Sequence, residues 1–188
     1  RYYKALCDRR RGHDAGKEIE KLELLLSKAD ITAADRKVVA AANEIAEQTG
    51  APAAAIELAD GTVLTGKTKQ LLGAASSMIL NALKHLAKID DSVELIPSDL
   101  IEPVQSLKVN YLGSRNPRLH VDEVLVALSV AAARNRTAAK ALSFLPMLKG
   151  AQVHCSVILS GTDSSILSRL GIDLTTEPDY ENDNLYHL

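Results

Sequence analysis

Apolar residues recur at three- and four-residue spacing through much of this chain, and the stretches where that spacing fails are where a sheet is expected. Tyr2, Tyr3 and Leu6 begin a first helix, and Ile19, Leu22, Leu25 and Leu26 form the stripe of a second. Thr32 with Asp35 three residues on has the form of a capping box ahead of Val38, Val39, Ala42 and Ile45, with Gly50 as the stop. The period then changes. Residues 53–58 and 62–65 flank Asp60-Gly61, a two-residue turn whose positions tolerate positive φ, which predicts a tight β-hairpin. Leu71, Leu72, Ala75, Met78, Ile79, Leu83 and Leu86 place a long helix over residues 69–89.

Residues 99–107 predict a short helix interrupted near Pro103, and residues 109–112 a short extended run. A turn follows over 113–118, and residues 121–133 are nearly all apolar between Asp122-Glu123 and Arg134, so a helix buried on most sides is expected. A further helix is predicted over 137–148. The β-branched run 153–159 predicts a strand, Thr162-Asp163 a cap for a helix reaching Gly171, and residues 172–175 a last strand. The acidic tail from Glu177 to Leu188 is expected to order only by docking. Strands alternating with helices predict an α/β fold, its sheet covered by helices. A boundary near Gly50-Ala51-Pro52 divides a helical subdomain, 1–50, from an α/β domain, 51–188.

Composition narrows the function classes. With 188 residues, 46% of them apolar, a sizeable core is available. Aromatic residues make up only 3%, with no Trp and a single Phe, so the core is aliphatic and offers no stacking platform for single-stranded nucleic acid. A net charge of -2 gives no electrostatic case for nucleic acid or a membrane surface, and the run Arg9-Arg10-Arg11 reads as the solvated end of a helix. No apolar run nears the roughly 18 residues a spanning helix needs, and no secretory leader is visible. Cys7 and Cys155 stand far apart, as free thiols in a cytoplasmic protein would. Because the chain opens on Arg1 and not Met, it is expected to be part of a longer protein whose amino-terminal region is a partner.

Polar chemistry gathers between residues 108 and 135. Ser114, Arg115, Asn116 and Arg118 put two guanidinium groups, an amide and a hydroxyl on one turn that opens onto a helix start, with Asn110 just before it, a donor set suited to an anion. The bland alternative is loop charge in solvent. His120 lies at the same helix start and is a candidate general acid or base, with Glu123 as the carboxylate within reach; plain capping accounts for the acids equally well. Gly61 to Thr68 satisfies the phosphate-loop pattern G-x-x-x-x-G-K-T, yet Val63 and Leu64 stand where small residues are wanted and the octet forms the second arm of the hairpin. A hairpin arm is therefore the expectation. Lys67 and Thr68 could still offer donors beside the next helix. Adjacent on one strand, His154 and Cys155 point to opposite faces and do not make a nucleophile pair.

The runs TGAPAAAIELADGTVLTGKTKQLLGAASSMILNALKHLAKID, KVNYLGSRNPRLHVDEVLVALSVAA, LPMLKGAQVHCSVILS and LGIDLTTEPDY resemble the carboxy-terminal part of the bacterial domain-of-unknown-function family 1846, also called uncharacterised protein family 0371. The resemblance covers nearly the whole chain. It implies a helical subdomain followed by a three-layer α/β/α domain of cytidine-deaminase-like topology, in a protein with a further amino-terminal α/β region; it implies no activity. Deaminase chemistry would need a His or Cys with a Glu at one helix start and P-C-x-x-C at the next. Neither is present, so no zinc site and no cofactor are expected. The resulting expectation is a metal-free domain that, as part of a larger protein, binds an anionic small molecule such as a phosphorylated one. The alternative is a non-catalytic assembly module whose helical region and Ala-rich helix 121–133 pack against further copies, as a homo-oligomer, or against the amino-terminal region of the longer protein.

Overall fold

The computed structural model describes residues 1–181. Its centre is a four-stranded mixed sheet in the order β2-β1-β3-β4, made of β1 (Ala53–Glu57), β2 (Val63–Lys67), β3 (Gln152–Cys155) and β4 (Asp173–Thr176). β1 runs antiparallel to both of its neighbours, and β3 and β4 are parallel. The predicted hairpin is present, but Leu58 pairs with Thr62, so its loop is the three residues Ala59-Asp60-Gly61 and not the two-residue turn expected: the Gly61 N–H donates to the Leu58 carbonyl at 2.9 Å, Gly61 alone of the three has positive φ, 82°, and the Thr62 N–H donates to Asp60 Oδ1 at 2.9 Å. The predicted strand over 153–159 closes at Cys155, because the Ser156 hydroxyl accepts from the Ala53 N–H and the chain then leaves the ladder.

β1 carries Ala53, Ala54 and Ala55, all fully buried. Side chains this short let helices approach the sheet closely on both faces. On one face α3 (Lys37–Thr49) lays Val38 and Ala42 against Ala55. It follows the Thr32–Asp35 capping box and stops at Gly50, φ 62°, as expected from the sequence. α1 (Tyr2–Arg10) and α2 (Gly16–Lys28) pack together, and α1 also reaches β4. On the other face lie α4 (Ala74–Leu86), α5 (Ser98–Ser106), α6 (Val121–Ala132), α7 (Arg136–Ser143) and α8 (Gly161–Arg169), sharing the main core with Ala54, Ile56, Val153 and Cys155.

α4 is the most deeply set of these, with Met78, Ile79, Ala82 and Leu83 fully buried. It crosses β2 at Gly66, where a Cβ would stand 2.1 Å from the Met78 backbone nitrogen. The second glycine of the phosphate-loop pattern therefore serves strand–helix contact.

Four further local expectations change. α5 runs straight through Pro103 and continues into a π-helical turn, Leu107–Tyr111, where an extended run was predicted; the Leu112 N–H reaches back five residues to the Leu107 carbonyl at 3.0 Å. Lys108 anchors that turn: it is buried, and its Nζ donates to the Arg118 carbonyl at 2.7 Å and to Glu123 Oε2 at 2.8 Å. α6 is not buried on most sides, since Val126 and Val130 are 65% and 55% exposed. The helix predicted over 137–148 ends at Ser143 and passes into a 3-10 turn, Leu145–Leu148, containing Pro146.

A polar network ties the amino-terminal helices to the sheet. His154 is fully buried on the α3 side, with Nδ1 2.9 Å from Thr175 Oγ1 and Nε2 3.2 Å from Glu177 Oε1, and the Tyr3 ring lies against it at 4.8 Å. Asn43 donates to the same Glu177 oxygen at 2.9 Å. The His154 hydrogen bond, followed by that of Asn43, holds the Glu177 carboxyl below its ordinary range against the effect of burial. Burial and the nearby Glu177 push the Tyr3 hydroxyl up to about 12. Both ring nitrogens of the buried His154 thus have partners, as a structural pin requires.

Candidate functional site

Three helices of the core face begin at one place, near the carboxyl ends of β2 and β3. α4 starts after Gly73, α6 after His120 and α8 after Ser160. The first amides of a helix have no intrahelical acceptor and carry the positive end of its dipole. The N–H groups of Ala74, Ala75 and Ser76 find no partner among the described residues. A small cavity of about 30 Å³ lies between the three starts, lined by Thr68, Ala75, Asn116, Arg118, His120 and Glu181, among others.

Asp163, from the first turn of α8, spans the gap to α6. One carboxylate oxygen accepts from the Val121 N–H at 2.8 Å; the other lies 2.9 Å from His120 Nδ1 and accepts from Ser160 Oγ at 3.0 Å. The Asp163 hydrogen bond is the main influence that raises the His120 pKa above 6.5; partial burial opposes it and the Asp163 charge adds to it. Burial alone would lift Asp163, but His120, the Val121 amide and Ser160 together hold it below 3.8. An ionised carboxylate can only accept, so Nδ1 carries the proton. Nε2, without a bond to any described residue, is the atom left to give or take one.

Of the residues singled out in sequence, Thr68, Asn116, Arg118 and His120 meet at this cavity. The Asn116 Oδ1 accepts from the Arg118 N–H at 3.0 Å and shapes the turn. Arg118 pairs through its guanidinium with Glu181. The others lie apart. Asn110 donates to Ser106 Oγ on the exposed π-helical turn, Ser114 bonds within its own turn, and Arg115 and Lys67 are exposed and do not line the cavity. Glu123 accepts from the His120 backbone N–H at 2.7 Å and from Lys108, so the carboxylate that reaches the imidazole is Asp163.

Asp163, Ser160 and Lys108 were not singled out in the sequence as site residues. The cap expected at Thr162-Asp163 lies earlier, at Ser160, whose hydroxyl accepts from the Asp163 N–H at 3.1 Å, and this leaves the Asp163 side chain in the first turn of the helix. Nothing in the chain linked that signal to a histidine 43 residues earlier. His154 and Cys155 do diverge across the sheet, and burial pushes the Cys155 thiol far up. Among the described residues no three His, Cys, Asp or Glu side chains gather so as to hold a metal ion, and no helix is long and apolar enough to cross a membrane.

Comparison with known proteins bears on the whole chain. Residues 34–186 match the family model described as domain of unknown function DUF1846, C-terminal. UPF0371 proteins of Corynebacterium urealyticum and Corynebacterium glutamicum are 51% and 52% identical to it over 186 residues, and one of Streptococcus sanguinis 43%. Those alignments take in 99% of this chain but only 37 to 38% of each relative, so the chain spans little more than a third of their length. With the resemblance seen in its sequence runs matched over most of its length, the chain belongs to the DUF1846 (UPF0371) family, in its C-terminal part.

Proposed function

We propose that this part of the protein binds a small anionic molecule, bearing a phosphate or carboxylate, where α4, α6 and α8 begin. The observation that carries the reading is the seat of Glu181. The chain after β4 runs beside the loop that follows β3, with the Ile158 N–H donating to the Asp179 carbonyl at 2.7 Å, and delivers a carboxylate to Arg118 inside the cavity. The free amides of Ala74, Ala75 and Ser76 and the imidazole of His120 line the same space. A cavity of 30 Å³ has room for about one water molecule, so an incoming anion replaces the Glu181 carboxylate. His120, oriented by Asp163, supplies a proton donor or acceptor beside it. The arrangement of β1, antiparallel to both neighbours with the site at the strand ends, supports the deaminase-like topology as the frame, and two unlinked cysteines support a cytoplasmic setting.

Calorimetric titration with inorganic phosphate and with acetate tests this. Glu181→Gln is expected to tighten binding about tenfold, which is about 1.4 kcal/mol. Arg118→Met is expected to abolish it. Equal affinity in the parent and both variants would remove the reading.

A second reading, assembly, has its own observation. Val126 and Val130 lie one turn apart on the outer face of α6, and Tyr111 and Leu112 are 79% and 72% exposed on the π-helical turn. A second copy, or the remaining length that the relatives possess, could cover these residues. Sedimentation of the intact protein with and without Val126→Glu and Val130→Glu decides it: dissociation on substitution is the expected result, and a monomeric parent at high concentration excludes self-association.

A further inference from the structure

We propose a second ligand site, under the opposite flank of α4, that takes a short aliphatic carboxylate. A cavity of about 280 Å³ lies between α4, residues 69–72 and the segment 94–101. Its volume equals roughly nine water molecules at about 30 Å³ each, close to the lower limit for ligand pockets. Leu80, Leu95 and Ile101 supply apolar wall.

Ser77 sets this cavity apart from a packing defect. It lines the space and is only 4% exposed, yet its hydroxyl has no hydrogen-bond partner among the described residues. A helical serine usually meets the carbonyl one turn back or reaches another acceptor. The adjacent Ser76 does so, donating to the Leu119 carbonyl at 3.0 Å. A buried hydroxyl left unpaired costs folding free energy, and a bound acceptor would recover it.

Ser77, Asn81 and Lys84 follow one another at i, i+4 and i+7, a single face of α4 spanning about 10 Å. The cavity is therefore long for its volume and suits a chain more than a globular ligand. Asn81 donates to the Thr65 carbonyl at 2.8 Å, and its own carbonyl is engaged by no described residue. Lys84 donates to the Asp91 carbonyl at 2.8 Å, and Lys69 stands at the other end; against Glu94 the wall carries net positive charge. Apolar sides, one spare donor and excess positive charge together select an aliphatic acid of about eight to ten non-hydrogen atoms.

Hexanoate and octanoate, titrated into the chain and followed by calorimetry and by backbone amide shifts, test the site, with hexylamine as the opposite charge. Binding tighter than about 1 mM, with shifts at Ser77, Asn81 and Leu95, is expected. Ser77→Ala, which removes an unpaired hydroxyl and so leaves the fold intact, is expected to weaken binding about tenfold, as is Lys84→Met. Failure of both acids to bind, equal binding by hexylamine, or unaltered affinity in both variants would overturn the proposal. Shifts confined to Arg118 and His120 would overturn it too, and would assign the acids to the cavity where α4, α6 and α8 begin.

Discussion

Gly66→Ala is expected to destabilise the protein by more than about 3 kcal/mol, beyond the usual cost of overpacking. The added Cβ would meet the Met78 nitrogen at 2.1 Å, the Met78 Cα at 2.6 Å and the Ser77 carbonyl carbon at 2.7 Å. All three are backbone atoms of the most deeply set helix, so no side chain can rotate away. Either β2 or α4 has to shift. For a chain of this size a loss of 3 kcal/mol lowers the melting temperature by roughly 6 to 12 °C. Gly16→Ala is the control: at negative φ, a Cβ there meets nothing within 4 Å, and the melting temperature should hold or rise slightly. A Gly66→Ala protein that melts within about 2 °C of the parent would show that the strand and helix are not locked at this crossing.

Asp163→Ala is expected to cost about 2 to 4 kcal/mol. It strips the Val121 N–H of its acceptor, removes the partner of Ser160 and leaves His120 half-buried without a counter-charge. The two partners also set a pH window. The His120 pKa is raised, so its contribution is complete below 6.5 and is lost as pH climbs through the folded-state value. The Asp163 pKa is lowered, so its contribution is complete above 3.8 and is lost as pH falls through its folded-state value. Parent stability relative to Asp163→Asn should therefore be greatest between about 3.8 and 6.5 and decline on either side. Asparagine keeps an acceptor for Val121 and should recover part of the loss without the pH dependence. Denaturation midpoints measured from pH 3 to 9 decide the matter, and parallel curves for parent and Asp163→Asn would sink the ion-pair account.

Much of the architecture was legible along the chain because local rules act over a few residues. The β-hairpin, the Thr32–Asp35 capping box and the Gly50 stop are each made by neighbours in sequence and are present, although the hairpin loop has three residues where two were expected and the box opens a 3-10 turn just ahead of α3. Periodicity was weaker where tertiary contacts override it. The π-helical turn at Leu107–Tyr111 reads locally like a β-branched and aromatic strand, and a buried Lys108 tied to Arg118 and Glu123 holds it as helix. Beyond its acidic first turn α6 is nearly all apolar and gave no hint of which side faces outward, because periodicity marks a face only where polar residues mark the other.

The candidate site divides along the same line. Arg118, Asn116 and His120 were visible as donors on one turn, since six residues suffice to bring such groups together. Their separation from Arg115 and Asn110 was not visible, because a one-residue difference in turn geometry reverses where a side chain points. By itself the sequence determined the hairpin, most helices, the aliphatic core, the opposite facing of His154 and Cys155, and the family. Tertiary structure alone decided that α8 brings Asp163 to His120, that Glu181 occupies Arg118, and that the Ser77 hydroxyl meets no hydrogen-bond partner among the described residues. Those three facts depend on contacts across 43, 63 and several intervening elements, and no pattern confined to neighbouring residues encodes the meeting of groups that only the packing of separate helices on one sheet brings within hydrogen-bond distance.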